Sequence, residues 1–435
     1  MSDSWALSLI IGLFLAMLAV FGRVQLRSWL APGAFFALVW SGFTLLALVG
    51  APHYEVSAAA IGWIFASVLA VYAGSLVGAY GLVISTRQRE ALPATHFHFP
   101  CLHRILILCI LLGIGSSFVL MKSSGYSLTG LLSLDTLAKV GHEFSVARYS
   151  LTDAPPLVAQ LLLVLVYASP LFGGLLFVLR PSRFNRLLVF LSLAPALLVV
   201  LVQTTRAAMF IAGILWLASY LSTRVLLEGR AARLFTRGHL LVVAVLIPLL
   251  FAGLTLPQLM FRRGVAVLPA LSDMARVVRV DFLGSLSAFS SSFQDTWYHD
   301  TAPRLGISTI GGLNRLFPSQ PKAADIYKLS GATGACEGTS NITTFFAGLI
   351  GDFTLPGSLL VLFALGLLAG WSYYRVVQGR KLHLPVLVAF YGIAMGSVLT
   401  SIFRFESTIA GLLVFAVYLV VSKLVYSGSR RNTRE

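Results

Sequence analysis

Charge is scarce in this sequence. Asp, Glu, Lys and Arg make up 11% of its 435 residues, against about 25% in an ordinary soluble domain, so most of the chain cannot present a water-facing surface. Cysteine is scarcer still: Cys101 and Cys109 fall at or inside a membrane edge and Cys336 stands by itself in a loop, which leaves no disulfide framework and no thiolate metal site. No P-loop, G-x-G-x-x-G or C-x-x-C pattern occurs, and nucleotide chemistry of the usual kinds is excluded with them. Internal repeats are missing, and the one biased tract is the basic tail "SRRNTRE".

What the chain has instead is apolar length. Hydrophobic residues make up 57% of it, in runs of about 18 to 25, the length that crosses a hydrocarbon core as helix. The runs predict an all-α polytopic membrane protein with eleven spans, near 4–21, 31–50, 57–84, 103–121, 157–179, 184–202, 206–222, 239–256, 355–374, 383–402 and 408–426. Residues 1–435 read as a single integral membrane domain. The opening "MSDSW" lacks the positive region of a cleavable signal, so the first span is expected to stay as an anchor.

The basic residues alternate between loops. One set of loops carries Arg23 and Arg27; Arg87, Arg89 and Arg104; Arg180, Arg183 and Arg186; Arg224, Arg230, Arg233 and Arg237; Arg375, Arg380 and Lys381; and Lys423, Arg430, Arg431 and Arg434. Those 19 of the 32 basic residues lie with only three of the 16 acids, which accounts for the whole net charge of +16. The positive-inside rule puts that set in the cytoplasm, the N-terminus outside and the C-terminus inside. The charge therefore calls for no nucleic acid. Two long loops, 122–156 and 257–354, then face outward, a length that in a compact chain is usually functional or disordered. The second is too rich in aromatic and apolar residues to be a disordered tail.

Basic residues on the outer side need a reason to be there. Arg206 sits in a tight hairpin after "VQTT", Arg262 and Arg263 cap the eighth span, and Arg276 and Arg279, three apart, share a face of a helix expected to lie on or in the outer interface. Arg148, Arg304, Arg315 and Arg404 complete the set. One reading has them reaching lipid phosphates and pairing with nearby acids. The other has several guanidinium forks converging on an outward cavity that holds a phosphate or pyrophosphate, with Arg206 and Arg404, in short turns level with helix ends, as its best members. Proton carriers on that side are His142, His299, Glu143, Asp281, Asp300, Glu337, Asp352 and Glu406, each of which also reads as an ordinary solvated or paired group. Asp352 and Glu406 stand out because a membrane-mouth position lifts a carboxylate pKa. Asp352, bracketed by Gly351 and Pro356, is expected where a helix begins, and so also reads as an N-cap. In "FRFE" an extended turn would send Arg404 and Glu406 to one side and Phe403 and Phe405 to the other. Trp297 and Tyr298 beside His299 suit the CH faces of a sugar ring or, equally, a membrane belt.

Two stretches resemble a known family: "YHDTAPRLGISTIGGLNRLFPSQPKAADIYK" (298–328) and "TSNITTFFAGLIGDFTLPGSLLVLFALGLLAG" (339–370). They look like the Wzy-type O-antigen and exopolysaccharide polymerases, which join oligosaccharide repeat units. Gly306, Ser308, Pro318, Pro321 and Lys322 stand at the family's first segment, and Asn341, Asp352 and Phe353 at its Asn and Asp-Phe-Gly segment, with Thr354 in place of the glycine. "LAPGAFFALVWSGFTLLALVG" (30–50) is similar to the family's second-span opening. The resemblance implies a glycosyltransferase-C-like, metal-independent, inverting enzyme, without cofactor, on the outer face of a bacterial inner membrane. Its donor and acceptor would be undecaprenyl-pyrophosphate-linked glycans, with membrane lipids and a chain-length-determining co-polymerase as partners. On that implication Asp352, Glu406 and His299 are the candidate catalytic residues, and Arg206, Arg262, Arg276, Arg279 and Arg404 the pyrophosphate ligands. Trp297, Tyr298, Arg304 and Asn341 would meet the glycan. Competing expectations are an O-antigen ligase, whose "H-N" context neither His142 nor His299 has, and a transporter or flippase of lipid-linked glycans, which more often shows inverted repeats.

Overall fold

The computed structural model describes residues 3–83, 97, 99–127, 133, 136, 139–144, 156–179, 182–203, 205–234, 279–295, 306, 308–310, 327–330, 336–340 and 342–432. In chain order its helices are α1 (Asp3–Leu26), α2 (Pro32–Gly50), α3 (Ala58–Val83), α4 (Phe99–Ser123), α5 (Leu157–Leu179), α6 (Arg183–Leu191), α7 (Ala194–Gln203), α8 (Arg206–Glu228), α9 (Gly284–Asp295), α10 (Phe345–Val377), α11 (Leu384–Gly396) and α12 (Glu406–Asn432). The chain is a polytopic helical membrane protein: among the described residues nine helices are long and apolar enough to cross a membrane, with α6 and α7 together making one of them.

These nine coincide with nine of the eleven expected spans. The expected span 239–256 lies outside the described residues, and the one at 383–402 is helical only over the 13 residues of α11. The span at 184–202 is interrupted, because Pro195 has no N–H to give and its ring disfavours helical geometry before it. The Ser192 carbonyl left at the break accepts a hydrogen bond from Ser169 Oγ of α5 at 2.7 Å. A second departure from an all-α reading is a short antiparallel hairpin, β1 (Tyr327–Ser330) with β2 (Cys336–Ser340), inside the second long loop.

Where the sequence reads as one membrane domain, the helices group into two compact units. The first comprises Met1–Ala91, Val225–Leu234 and Arg276–Glu406. Its densest crossing is α3 on α10, and glycine makes it. A Cβ on Gly74 would stand 2.0 Å from Phe363 O, on Gly78 2.2 Å from Leu367 O, on Gly366 2.2 Å from Val71 O, and on Gly370 2.3 Å from Ser75 O. Both helices thus carry a G-x-x-x-G face, and their backbones touch, which is how helices associate where lipid removes the hydrophobic drive.

Beside this crossing α2 supplies aromatics: Trp40 lies 4.5 Å from Phe346 between ring centres, and its indole N–H donates to Ser397 Oγ at 2.9 Å. Of the stretch 268–289, expected to form an interfacial helix, residues 268–278 lie outside the described residues. In α9, Leu286, Ala288, Phe289 and Phe293 are buried, and its serines are buried with them because each finds a partner. Ser285 Oγ donates to Val398 O at 3.0 Å, Ser287 Oγ to Glu55 O at 3.0 Å, and Ser290 Oγ accepts from Ser57 N at 2.7 Å. Satisfied hydroxyls allow a polar helix inside a bundle.

The second unit comprises Leu92–Arg224, Phe235–Ala275 and Ser407–Glu435. Its core joins Val166 of α5 to Ala196, Val199 and Val200 of α7 and to Ala208, Met209 and Ala212 of α8. Pro170 sits inside α5, and in that stretch Ser219 Oγ of α8 donates to Leu171 O at 2.6 Å. On α12, Phe415 and Tyr418 pack on Phe172 at 5.5 and 5.3 Å.

Candidate functional site

In the first unit, three stretches that the sequence marks for chemistry are tied into one cluster. Asp352 is fully buried within α10. Its carboxylate accepts from Ser308 N at 2.9 and 3.1 Å, from Thr309 N at 2.8 Å and from Thr309 Oγ1 at 2.7 Å. Gly306, with φ at 93°, opens this turn in the left-handed region that suits glycine. On the far side Ser401 Oγ donates to Thr309 O at 2.7 Å, and Phe345 N donates to Ser397 O at 2.8 Å. The loop at 306–310, the head of α10 and the 397–404 turn therefore hold one another.

This geometry revises the reading of Asp352. The residue begins no helix and caps none; it lies seven residues into α10, and its oxygens serve as acceptors for a turn 43 residues upstream in the chain. A carboxylate whose oxygens are taken up by two N–H groups and a hydroxyl is committed to accepting, so Asp352 works as a positioning group for the Ser308–Thr309 turn. The helix start expected just after Asp352 does exist within α10: two helical segments meet at Thr354, whose φ of 64° and ψ of 176° leave the helix. That is where the resembling family places glycine, and a β-branched residue there is strained by about 1 to 3 kcal/mol. Thr354→Gly should therefore raise the thermal unfolding midpoint of the purified protein, by the equivalent of about 1 kcal/mol once the extra freedom of glycine in the unfolded chain is subtracted. A lowered midpoint would mean that the threonine side chain contributes more than its backbone strain takes away.

The "FRFE" stretch is less extended than its alternation implies. Ile402–Arg404 form a 3₁₀ turn, Phe405 is extended, and Glu406 begins α12. The expected sorting of side chains nonetheless appears: Arg404 and Glu406 are exposed, while Phe403 and Phe405 are half-buried. Arg279 is exposed at the start of an irregular turn, Arg279–Leu283, that leads into α9. Arg206 is the first residue of α8, in the tight hairpin expected, and belongs to the second unit, whereas Asp352, Arg279, Arg404 and Glu406 belong to the first. Arg262, Arg276, Trp297, Tyr298, His299, Arg304 and Asn341 lie outside the described residues.

Next to Asn341, Thr343 and Thr344 carry buried hydroxyls without a hydrogen-bond partner among the described residues. Thr344 precedes α10 in extended backbone and, unlike an ordinary N-cap threonine, makes no capping bond. No separate sequence signal marks Thr309, Ser401 or these two threonines, since each is an ordinary residue made special by its neighbours. In the second unit, the Tyr126 phenol donates a hydrogen bond to Glu143, and that bond, followed by burial and the charge of Glu143, pushes the Tyr126 pKa up. Glu143 is thus spoken for locally. No group of three or more metal-ligating side chains is found among the described residues. Compared with known proteins, the chain matches no family model, no curated protein and no solved structure.

Proposed function

We propose that the chain is a polymerase that joins undecaprenyl-pyrophosphate-linked oligosaccharide repeat units on the outer face of a bacterial inner membrane. The observation that carries this reading is the clamp at Asp352. It fastens the second stretch that resembles the polymerases to Ser308 and Thr309 of the first, and through Ser401 to the turn that presents Arg404 and Glu406. In this reading the loops between spans that hold the 19 clustered basic residues face the cytoplasm, and both long loops face out.

The reaction needs two things of the protein. The acceptor hydroxyl attacks the anomeric carbon of the donor glycan and loses its proton, for which Glu406 or His299 is the base. The bond from that carbon to the pyrophosphate oxygen breaks, and the departing charge is met by guanidinium groups of the first unit, Arg404 first and Arg276 and Arg279 with it. Trp297, Tyr298, Arg304 and Asn341 contact sugar, and the idle hydroxyls of Thr343 and Thr344 add donors beside Asn341. Asp352 holds the turn that these groups flank.

Purified protein given purified lipid-linked repeat units should lengthen them without any lipid A acceptor. Arg404→Lys keeps the charge but loses the two-pronged fork, and is expected to lower chain elongation at least tenfold with unchanged yield of folded protein. Wild-type elongation by Arg404→Lys would make the turn structural. Transfer only to a lipid A core would make the enzyme a ligase.

A further inference from the structure

A second cluster of cations in the first unit lies at the C-terminal end of α10 and takes no part in the site above. Its shape is set by backbone. Gly379, with φ at 79°, closes α10 in a Schellman turn: Gly379 N donates to Val376 O at 2.8 Å and Arg380 N to Arg375 O at 2.9 Å. That second bond folds Arg380 back onto Arg375. A matching left-handed glycine, Gly229 at φ 62°, packs beside Val377 and presents Arg230, whose guanidinium lies 5.4 Å over the Tyr374 ring. Arg375 lies 5.9 Å over Trp371, and His383 meets the same indole edge-on at 4.5 Å. Burial lowers the His383 pKa, and Arg375 and then Arg380 push the same way.

The ordinary account of such arginines is that they reach for water or pair with acids. It leaves one atom unexplained. Arg375 Nε is buried and has no hydrogen-bond partner among the described residues, although a guanidinium nitrogen kept from water normally finds an acceptor. Glu228, the acid of that stretch, is exposed and has a partner of its own. Two guanidinium groups over neighbouring rings of one helix, one of them with a dry donor lacking a partner among the described residues, and a third arginine in the turn that closes that helix suit an oxyanion.

We infer that Arg230, Arg375 and Arg380 form a phosphate-binding site, and that its ligand is a phosphodiester such as the headgroup of an anionic lipid. The site stands at the end of a membrane-crossing helix, where headgroups are, and its aromatic rings suit the adjoining ester region. It is independent of the proposed polymerase reaction.

The full-length protein in zwitterionic detergent would be titrated with phosphatidylglycerol, with phosphatidylcholine and with inorganic phosphate, and binding read by native mass spectrometry. Phosphatidylglycerol should bind to the wild type in a defined stoichiometry, and phosphatidylcholine should not. Arg380→Gln, an exposed change that leaves the core untouched, should weaken binding about tenfold, and Arg375→Gln at least as much. The tail variant Arg430→Gln/Arg431→Gln should bind as the wild type does. Displacement by millimolar inorganic phosphate would support the oxyanion site and assign it a soluble ligand; resistance to displacement assigns it the lipid. Equal losses for the tail variant and Arg380→Gln, or equal binding of phosphatidylcholine, would overturn the proposal, because the effect would then be general surface charge or detergent exchange.

Discussion

Gly366→Val should leave little folded protein to purify, with the monodisperse fraction after detergent extraction falling at least tenfold. The reason is geometric. A Cβ at this position would lie 2.2 Å from Val71 O, 2.9 Å from Val71 C and 2.9 Å from Val71 Cα, all backbone atoms that no rotamer change can move. The helices would have to part by about an ångström or more along α3 and α10, and the contacts at Gly74, Gly78 and Gly370 would open with them. In lipid no exclusion of water compensates for that loss. A tenfold fall corresponds to about 1.4 kcal/mol, the lower bound of what overpacking against backbone produces. Gly62, where an added Cβ would meet nothing within 4 Å, is the control: Gly62→Val should extract like the wild type. Similar yields for the two variants would show that α3 and α10 do not approach this closely.

Asp352→Asn carries the second large effect. If the group were a proton carrier, asparagine would spare the fold and stop the reaction. The clamp leads to a different result. Asparagine offers one acceptor oxygen in place of two and turns an NH₂ toward backbone N–H groups of Ser308 or Thr309, so at least one donor faces a donor in a buried place. Losing a charge-assisted bond and orphaning its partner costs about 2 to 3 kcal/mol. Limited proteolysis should therefore cut near 306–310 at least tenfold faster in Asp352→Asn, and glycan elongation should fall with it. Ser401→Ala, which loses only the bond to Thr309 O, should show a milder version of both. A variant that elongates no glycan yet resists protease like the wild type would restore a chemical role to Asp352.

The helices were largely legible because a membrane span announces itself by length and apolarity, and those are local properties of sequence. Legibility ended where backbone is read by backbone. The G-x-x-x-G faces at 74–78 and 366–370 are written in the chain, but an apolar run with glycines does not say which run it will meet. The clamp had half a signal: Asp352 stood out as an acid near a membrane mouth, while Ser308 and Thr309, 43 or 44 residues away, could not be named as its partners. The break in the expected tenth span was hidden because "GSVLTSIF" is as apolar as a helix needs to be. Its serines instead serve other elements, Ser397 through Trp40 and Ser401 through Thr309.

The shortness of α11 sets a depth. Thirteen helical residues rise about 20 Å, and a hydrocarbon core is about 30 Å thick. Were Arg380, Lys381 and His383 to hold its first end at the headgroup level, the helix would stop roughly 10 Å before the opposite boundary. Residues 397–405, which hold no α-helix, would then have to cover that last distance, where every peptide group must find a partner in protein. Some are visible: Ser397 O takes Phe345 N, Val398 O takes Ser285 Oγ, and Ser401 O takes Arg404 N. A polar ligand that remains tethered to lipid can reach this floor only by sinking below the plane of the surrounding phosphates or where the bilayer thins to meet it. The protein would then be felt by the membrane as a local dimple, and its behaviour should follow acyl-chain length.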